Sequence, residues 1–145
     1  MKFVRTLATL SLAVLAATQV HATDPAAVMQ STGNMVATPN PLRWSVSGDL
    51  TQYGTVSVVN NGAGFASNLA VTMTRTAGRQ GIVQMGTDTC NGATLAPGGT
   101  CSMQFQFDPS CPTAENDNFV VTITSSNAPT LTVPIYAQSK GGFCQ

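Results

Sequence analysis

The sequence predicts an all-β fold, a two-layer Greek-key β-sandwich. Three observations lead to this prediction. Short segments alternate apolar and polar side chains, which is the period-two pattern of a half-buried strand. Clusters of glycine, proline and asparagine separate these segments at roughly regular spacing, as the turns of such a sandwich would. Beyond the first residues no convincing 3.6-residue period is present, and the 13 glycines further disfavour helices.

Residues 1–22 have the pattern of a secretory signal peptide. Two basic residues near the start precede a short apolar stretch at 7–17, and Val20-His21-Ala22 places small residues before a cleavage point. The apolar stretch is well short of the roughly 20 residues that a membrane-spanning helix needs. We therefore expect cleavage before Thr23 and a secreted or periplasmic mature chain.

The sandwich domain with its C-terminal tail is expected over residues 42–145, after an extended leader over 23–41. Two closely spaced prolines at the end of the leader favour a rigid connector, which could also add an edge strand. An asparagine-glycine turn at 60–62 and a polar, glycine-containing turn at 75–79 divide the first half of the domain. The strands predicted there lie at 44–46, 55–59, 69–74 and, more weakly, 81–85.

The second half of the domain has the clearest patterns. Segment 102–108 places large apolar residues on one face and glutamines on the other, directly after the turn Pro97-Gly98-Gly99. Two further alternating segments, 119–124 and 130–137, bring the number of predicted strands to about seven. Because Pro134 has no backbone donor, the last strand should lie at a sheet edge or leave that position unpaired.

Four cysteines after a signal peptide predict disulfides, and no C-x-x-C pair suggests a metal site. Cys101 and Cys111 flank the strand 102–108, which spans about 23 Å. A disulfide needs Cα atoms within about 7 Å, so these two cysteines should not pair. The natural pair is then Cys90–Cys101 across the turn, which leaves Cys111–Cys144 to tie the C-terminal tail to the domain.

Several of these features together resemble the immunoglobulin-like domains of the abnormal-spindle/hydin type, which include bacterial choice-of-anchor D modules. The resemblance covers about residues 42–140. The matching segments are the strand that ends in Asn60-Asn61-Gly62, the spacing Cys90…Leu95-Ala96-Pro97-Gly98…Cys101, the run Phe105-Gln106-Phe107-Asp108-Pro109, and the strands 119–124 and 130–137. The resemblance implies an immunoglobulin-like topology and a binding or scaffolding role in an envelope or surface protein. Such domains usually occur as repeats, whereas this chain holds one copy, and Cys111 and Cys144 lie outside the pattern.

Most catalytic residue combinations are missing from the predicted mature chain. The single histidine of the whole sequence, His21, lies in the signal segment, so its removal leaves no imidazole for catalysis or metal binding. The sequence has neither a Gly-x-Ser-x-Gly elbow nor a phosphate-binding glycine loop. The oxygen-rich segment 115–118 is interpreted as a solvated loop and not as a calcium site, and Arg75 and Arg79 as solvated turn residues. We therefore predict no enzymatic activity, no cofactor and no metal.

Charge limits the choice of partner. Without the signal segment, four basic and six acidic side chains leave a formal charge of −2, so binding to nucleic acid or anionic membranes is not expected. We predict a binding or structural module with a protein partner in the envelope or outside the cell. One alternative is an envelope or pilus-type assembly subunit in which the leader donates a strand to a neighbour. A second is a carbohydrate-binding domain that uses Trp44, Tyr53 and the carboxylates.

Overall fold

The computed structural model describes residues 32–47, 50–78, 83–109 and 114–140, and these residues form eight β-strands and no helix. The signal segment, Arg79, Cys111 and Cys144 lie outside the described residues. No helix in the described part is long and apolar enough to cross a membrane. In chain order the strands are β1 Met35–Thr38, β2 Leu42–Val46, β3 Gln52–Asn60, β4 Ala70–Gly78, β5 Val83–Asp88, β6 Thr100–Phe107, β7 Ala114–Thr124 and β8 Leu131–Lys140.

The strands form two four-stranded sheets that pack face to face. Sheet A has the order β1-β3-β6-β5 and sheet B the order β2-β8-β7-β4. All pairings are antiparallel except β2 with β8, which is parallel. Without β2, this is the division of an immunoglobulin constant-type domain, with the first, second, fifth and fourth strands opposite the third, sixth and seventh. The predicted all-β, immunoglobulin-like sandwich is confirmed.

The extra strand arises because the segment before residue 47 divides between the sheets. Met35–Thr38 pairs with β3 at the edge of sheet A, and Leu42–Val46 pairs with β8 at the edge of sheet B. Pro39 and Pro41 lie between the two strands. Proline has no N–H group to donate to a ladder, so a single strand could not continue through this segment. Part of the segment expected to be a leader is therefore the first strand of the sandwich.

The core is built from the inward-facing positions of both sheets. The predicted alternation of β6 is confirmed, because Met103, Phe105 and Phe107 are fully buried. Trp44 reaches this core from β2 and stacks on Phe107 with a ring-centroid distance of 5.7 Å. Gly54 makes room for it, since a Cβ there would lie 2.8 Å from Cζ2 of Trp44. The interpretation of Trp44 as a core residue agrees with this packing.

Two local predictions are wrong. Residues 75–78 do not form a turn: β4 continues to Gly78, with a bulge between Arg75 and Ala77. Gly78 has a φ of 108°, and a Cβ at this position would collide with the carbonyl oxygen of Asn116. The segment 115–118 is likewise not a loop but part of β7, and Asp117 is fully buried within it.

The position of β8 corrects a third prediction. Pro134 does not mark an edge strand, because β8 lies between β2 and β7. Its ladder with β2 begins one residue later, where Ile135 lies opposite Leu42. Pro134 therefore precedes the ladder with β2 but lies opposite Val120 in the ladder with β7, so neither predicted placement, at a sheet edge or unpaired, is observed.

Candidate binding surface

Three connections between strands meet at one end of the sandwich and are hydrogen-bonded to one another. We call them together the loop cap, which comprises residues 61–69, 89–99 and 125–130. They follow β3, β5 and β7, whose C-terminal ends all lie at this end because the sheets are antiparallel within these strands. In immunoglobulin variable domains the B–C and F–G loops bind antigen, and the first and third loops of the cap, which follow the strands equivalent to B and F, occupy the same positions.

Asn60 holds the loop cap to the sandwich from within. Its side chain is fully buried and uses both ends of its amide. Nδ2 donates to the carbonyl oxygens of Gly64 at 2.8 Å and Leu95 at 2.9 Å. Oδ1 accepts from the backbone N–H groups of Asn34 at 2.9 Å and Gly62 at 3.0 Å. One buried side chain thus connects the start of β1 with two loops, and both its donors and both its acceptor lone pairs are used.

The second loop of the cap is closed by the predicted disulfide. Cys90 and Cys101 are joined, with their Cα atoms 5.0 Å apart, so this pairing is confirmed. Gly98 in the turn has a φ of 75°, which favours glycine. At the other foot of the loop, the Asp88 carboxylate accepts from the N–H groups of Cys90 at 2.7 Å and Asn91 at 3.1 Å. A disulfide of this kind is consistent with an oxidising compartment.

The same loop covers the first part of the exposed edge of β4. Leu69 donates its N–H to the carbonyl oxygen of Ala93 at 2.9 Å and accepts from the N–H of Gly92 at 2.7 Å. Two residues on, the N–H of Val71 donates to Oδ1 of Asn91 at 3.2 Å. Backbone groups of alternate residues face the same side of a strand, so these bonds occupy the side of β4 that faces away from β7. Residues 91–93 thus cover the start of the β4 edge.

The third loop is joined to the first around Ser67. The carbonyl oxygen of Ser67 accepts from the N–H of Ser126 at 3.0 Å and from Oγ of Ser125 at 2.9 Å. Its N–H donates to Oδ1 of Asn127 at 2.8 Å. The three loops are therefore bonded to each other as well as to the sheets, and the cap is organised before any partner binds.

Phe65 stands out on this framework because it is a large apolar side chain that is 55% exposed. Its two neighbours, Gly64 and Ala66, are both buried. Ala66 and Leu95 exchange backbone hydrogen bonds of 2.9 and 2.8 Å, which fixes the chain on one side of the ring. Gly33 lies against the carbonyl oxygen of Phe65, since a Cβ there would be 2.9 Å from it. The ring is thus held in solvent by a fixed backbone.

Charge is absent from the loop cap, whose three loops contain no Asp, Glu, Lys or Arg. The described ion pair lies at the far end, where Nε of Arg75 is 2.8 Å from Oδ1 of the buried Asp117. The Arg75 guanidinium also lies 5.0 Å from the ring centre of Phe119. Arg75 is therefore an inward-facing charge on an edge strand, a feature that discourages pairing with other chains. Its predicted role as a solvated turn residue is wrong.

The structure separates the two aromatic residues predicted to bind a sugar together. Trp44 faces the core, whereas Tyr53 is 64% exposed on the outside of sheet A. No group of three or more potential metal ligands exists among the described residues. The residue that the sequence analysis missed is Phe65. Its signal was a lone aromatic residue in the small-residue loop Gly62-Ala63-Gly64-Phe65-Ala66-Ser67, where no strand alternation explains it.

No protein-family model and no curated protein matches the sequence. Solved structures do share its fold. The secreted serine protease VesC from Vibrio cholerae matches with a TM-score of 0.49 and 14% identity over 76% of this chain. The VesB protease from the same organism matches with a TM-score of 0.47 and 13% identity over 73% of this chain. The chain spans only 23% of VesC and 31% of VesB.

A third structure matches over nearly its whole length. The ASH/PapD-like domain of human CEP192 (PapD-like domain 7) has a TM-score of 0.50 and 13% identity, with 91% of this chain and 97% of that domain covered. At such identities the likeness concerns the fold alone, and it supports the immunoglobulin-like β-sandwich. The narrower abnormal-spindle/hydin family is not established by it.

The prediction that the chain is not an enzyme is contradicted by these comparisons. It was based on residue types that are missing from this chain, whereas VesC and VesB, which are similar to it over part of their length, are proteases. The prediction of no enzymatic activity is therefore withdrawn.

Proposed function

We propose that this chain is an exported immunoglobulin-like module that binds a protein partner through the loop cap, with the Phe65 ring at the centre of the contact. The immunoglobulin-like fold supports a binding or structural role, and the Cys90–Cys101 disulfide supports a secreted or periplasmic location. The cysteine-flanked Leu95-Ala96-Pro97-Gly98 motif supports placing the chain among divergent abnormal-spindle/hydin-type domains.

The observation that carries the proposal is the exposure of Phe65 on a preorganised loop. A phenylalanine presents about 200 Å² of surface, so covering the exposed 55% at about 25 cal/mol per Å² contributes about 3 kcal/mol. This corresponds to roughly a hundredfold in affinity. The loops pay little ordering cost on binding because their hydrogen bonds are already formed, and preorganisation of this kind raises affinity.

Strand donation is less well supported as the mode of assembly. A donated strand needs an open sheet edge. Residues 91–93 occupy the start of the β4 edge, and the bulge after Arg75 interrupts its far part. On the other sheet, Met35–Thr38 of the same chain already occupies the edge of β3. These contacts favour binding through side chains of the cap over pairing through the backbone.

Site-specific photo-crosslinking tests the proposal. A benzophenone amino acid is placed at position 65 in the exported protein, and at Tyr136, an exposed aromatic position on sheet B, as the matched control. We expect a discrete protein adduct from position 65 and none from position 136. With the captured partner purified, Phe65→Ala should weaken binding about a hundredfold while leaving the urea midpoint of unfolding unchanged. Equal adducts at both positions, or unchanged affinity of Phe65→Ala, would refute the proposal.

A further inference from the structure

The outer face of sheet A is a second surface with a distinct chemistry. Alternation along its strands places every second side chain outward, away from the core. All these side chains are uncharged, and we call the surface the neutral face. Its members are Val36 and Thr38 on β1, Tyr53, Thr55, Ser57 and Val59 on β3, Thr100, Ser102, Gln104 and Gln106 on β6, and Gln84 on β5.

The other sheet shows that this neutrality is not general. The outer face of sheet B has Arg43 and Lys140, with the Arg43 guanidinium 4.3 Å from the ring centre of Tyr136. Elsewhere, Asp88 ends β5, Asp108 directly follows β6, and Arg75 and Asp117 form an ion pair. The outward positions of sheet A named above therefore carry no charge.

Tyr53 is the focus of the neutral face, with 64% of its surface exposed. It lies directly opposite Gln106, which lies directly opposite Gln84, so one aromatic ring and two amides form a row across three strands. Neighbouring strands are about 4.8 Å apart, so the row extends about 10 Å. Beneath it, Trp44 packs against Gly54 and stacks on Phe107, which supports the backbone that carries Tyr53.

The chemistry of this row fits a ligand rich in hydroxyl groups. Glutamine amides and the hydroxyls of serine and threonine both donate and accept hydrogen bonds, as sugar hydroxyls do. Removing such neutral groups from water costs far less than removing unpaired charges. An exposed tyrosine ring offers a flat surface with a polar end on which a sugar ring can stack. An acidic ligand would instead require basic side chains, and the neutral face has none.

We propose that the neutral face binds an uncharged polysaccharide, with Tyr53 stacked on a sugar ring and Gln106 and Gln84 hydrogen-bonded to hydroxyls of the same chain. This site is separate from the loop cap and does not depend on the protein partner proposed there. It also differs from the carbohydrate site first predicted from the sequence, since Trp44 and the carboxylates take no part.

Affinity electrophoresis tests this proposal. The purified full-length mature protein is run in native gels that contain soluble neutral polysaccharides (hydroxyethyl cellulose, xyloglucan, glucomannan or dextran) or, for contrast, polygalacturonate. We expect retardation by at least one neutral polysaccharide and none by the acidic one. Tyr53→Ala should weaken the binding constant about tenfold, and Tyr53→Phe should retain most of it, because the ring and not the hydroxyl makes the contact.

The controls separate the two surfaces of the molecule. Tyr136→Ala removes an exposed tyrosine from sheet B and should leave retardation unchanged. Phe65→Ala, which should weaken protein binding at the loop cap about a hundredfold, should also leave retardation unchanged. Absence of retardation by every neutral polysaccharide, stronger retardation by polygalacturonate, or equal losses in Tyr53→Ala and Tyr136→Ala would overturn the proposal.

Discussion

Replacing Asn60 by alanine should be among the most destabilising single changes outside the apolar core. The side chain is fully buried and makes four hydrogen bonds to backbone groups of four different residues. A typical hydrogen bond contributes about 1 kcal/mol net, so Asn60→Ala should lower the free energy of unfolding by about 4 kcal/mol. This loss is a large part of the total free energy of unfolding, which is usually about 5–15 kcal/mol for a single domain.

Urea unfolding at pH 7 measures this loss. The chain has a single tryptophan, Trp44, and its stacking on Phe107 makes its fluorescence a reporter of the intact core. Asn61→Ala is the matched control, because the neighbouring side chain is exposed and its loss should change stability by less than about 0.5 kcal/mol. A loss of less than about 1 kcal/mol for Asn60→Ala would refute the reasoning.

Asn60→Asp tests the direction of the four bonds. A carboxylate can still accept from the two N–H groups, but its second oxygen would face two carbonyl oxygens. Burial and this repulsion should raise the pKa of the new carboxyl in the folded state. A raised folded-state pKa means that the variant gains stability as the pH falls from 7 toward 4, relative to wild type. A pH-independent difference between the two proteins would contradict this reasoning.

Three further predictions concern the loop cap and the β4 edge. Joint replacement of Cys90 and Cys101 by alanine opens a loop with a sequence separation of 11 and should cost about 3 kcal/mol of unfolding free energy, measured by urea denaturation. Arg75→Met leaves the buried carboxylate of Asp117 without a counter-ion, and we expect it to lower the free energy of unfolding by about 2 kcal/mol. The loss is smaller than for a fully buried pair because the arginine is 37% exposed, and an unchanged melting temperature would contradict this prediction. Asn91→Ala uncovers the Val71 amide, which should exchange its hydrogen faster in exchange mass spectrometry while amides of β6 keep their rates.

The elements that could be predicted from the sequence are those whose signal is local. The strand 102–108 was found because the side chains of Met103, Phe105 and Phe107 alternate with polar ones, and the disulfide because its cysteines flank a proline-glycine turn. The structure has eight strands and not the predicted seven or so, because Pro39 and Pro41 divide the segment before residue 47 into two strands that join different sheets. That division depends on which sheet each half can reach, and local pattern does not contain this information.

The errors involve polar residues whose partners are distant in sequence. Arg75 and Asp117 were assigned to a turn and a loop because charged residues usually lie in solvent. In the structure they neutralise each other across 42 residues, which allows both segments to remain in strands. Asn60 was interpreted as a turn residue because asparagine followed by Asn-Gly is a turn signal, although its amide is the buried link between two loops. Such roles depend on contacts that only the tertiary fold creates.

The routes by which the chain enters and leaves the sandwich determine where a label can be attached without obstructing Phe65. Thr32 lies beside the first loop, where its carbonyl oxygen accepts from the N–H of Gly64 at 3.3 Å. Lys140 lies at the opposite end of the molecule, opposite Ala114 at the start of β7. A fluorophore or surface tether joined just before Thr32 would crowd the exposed phenyl ring, whereas one joined after Lys140 would leave it facing solution. Immobilised binding measurements on this molecule should therefore use the carboxyl-terminal side.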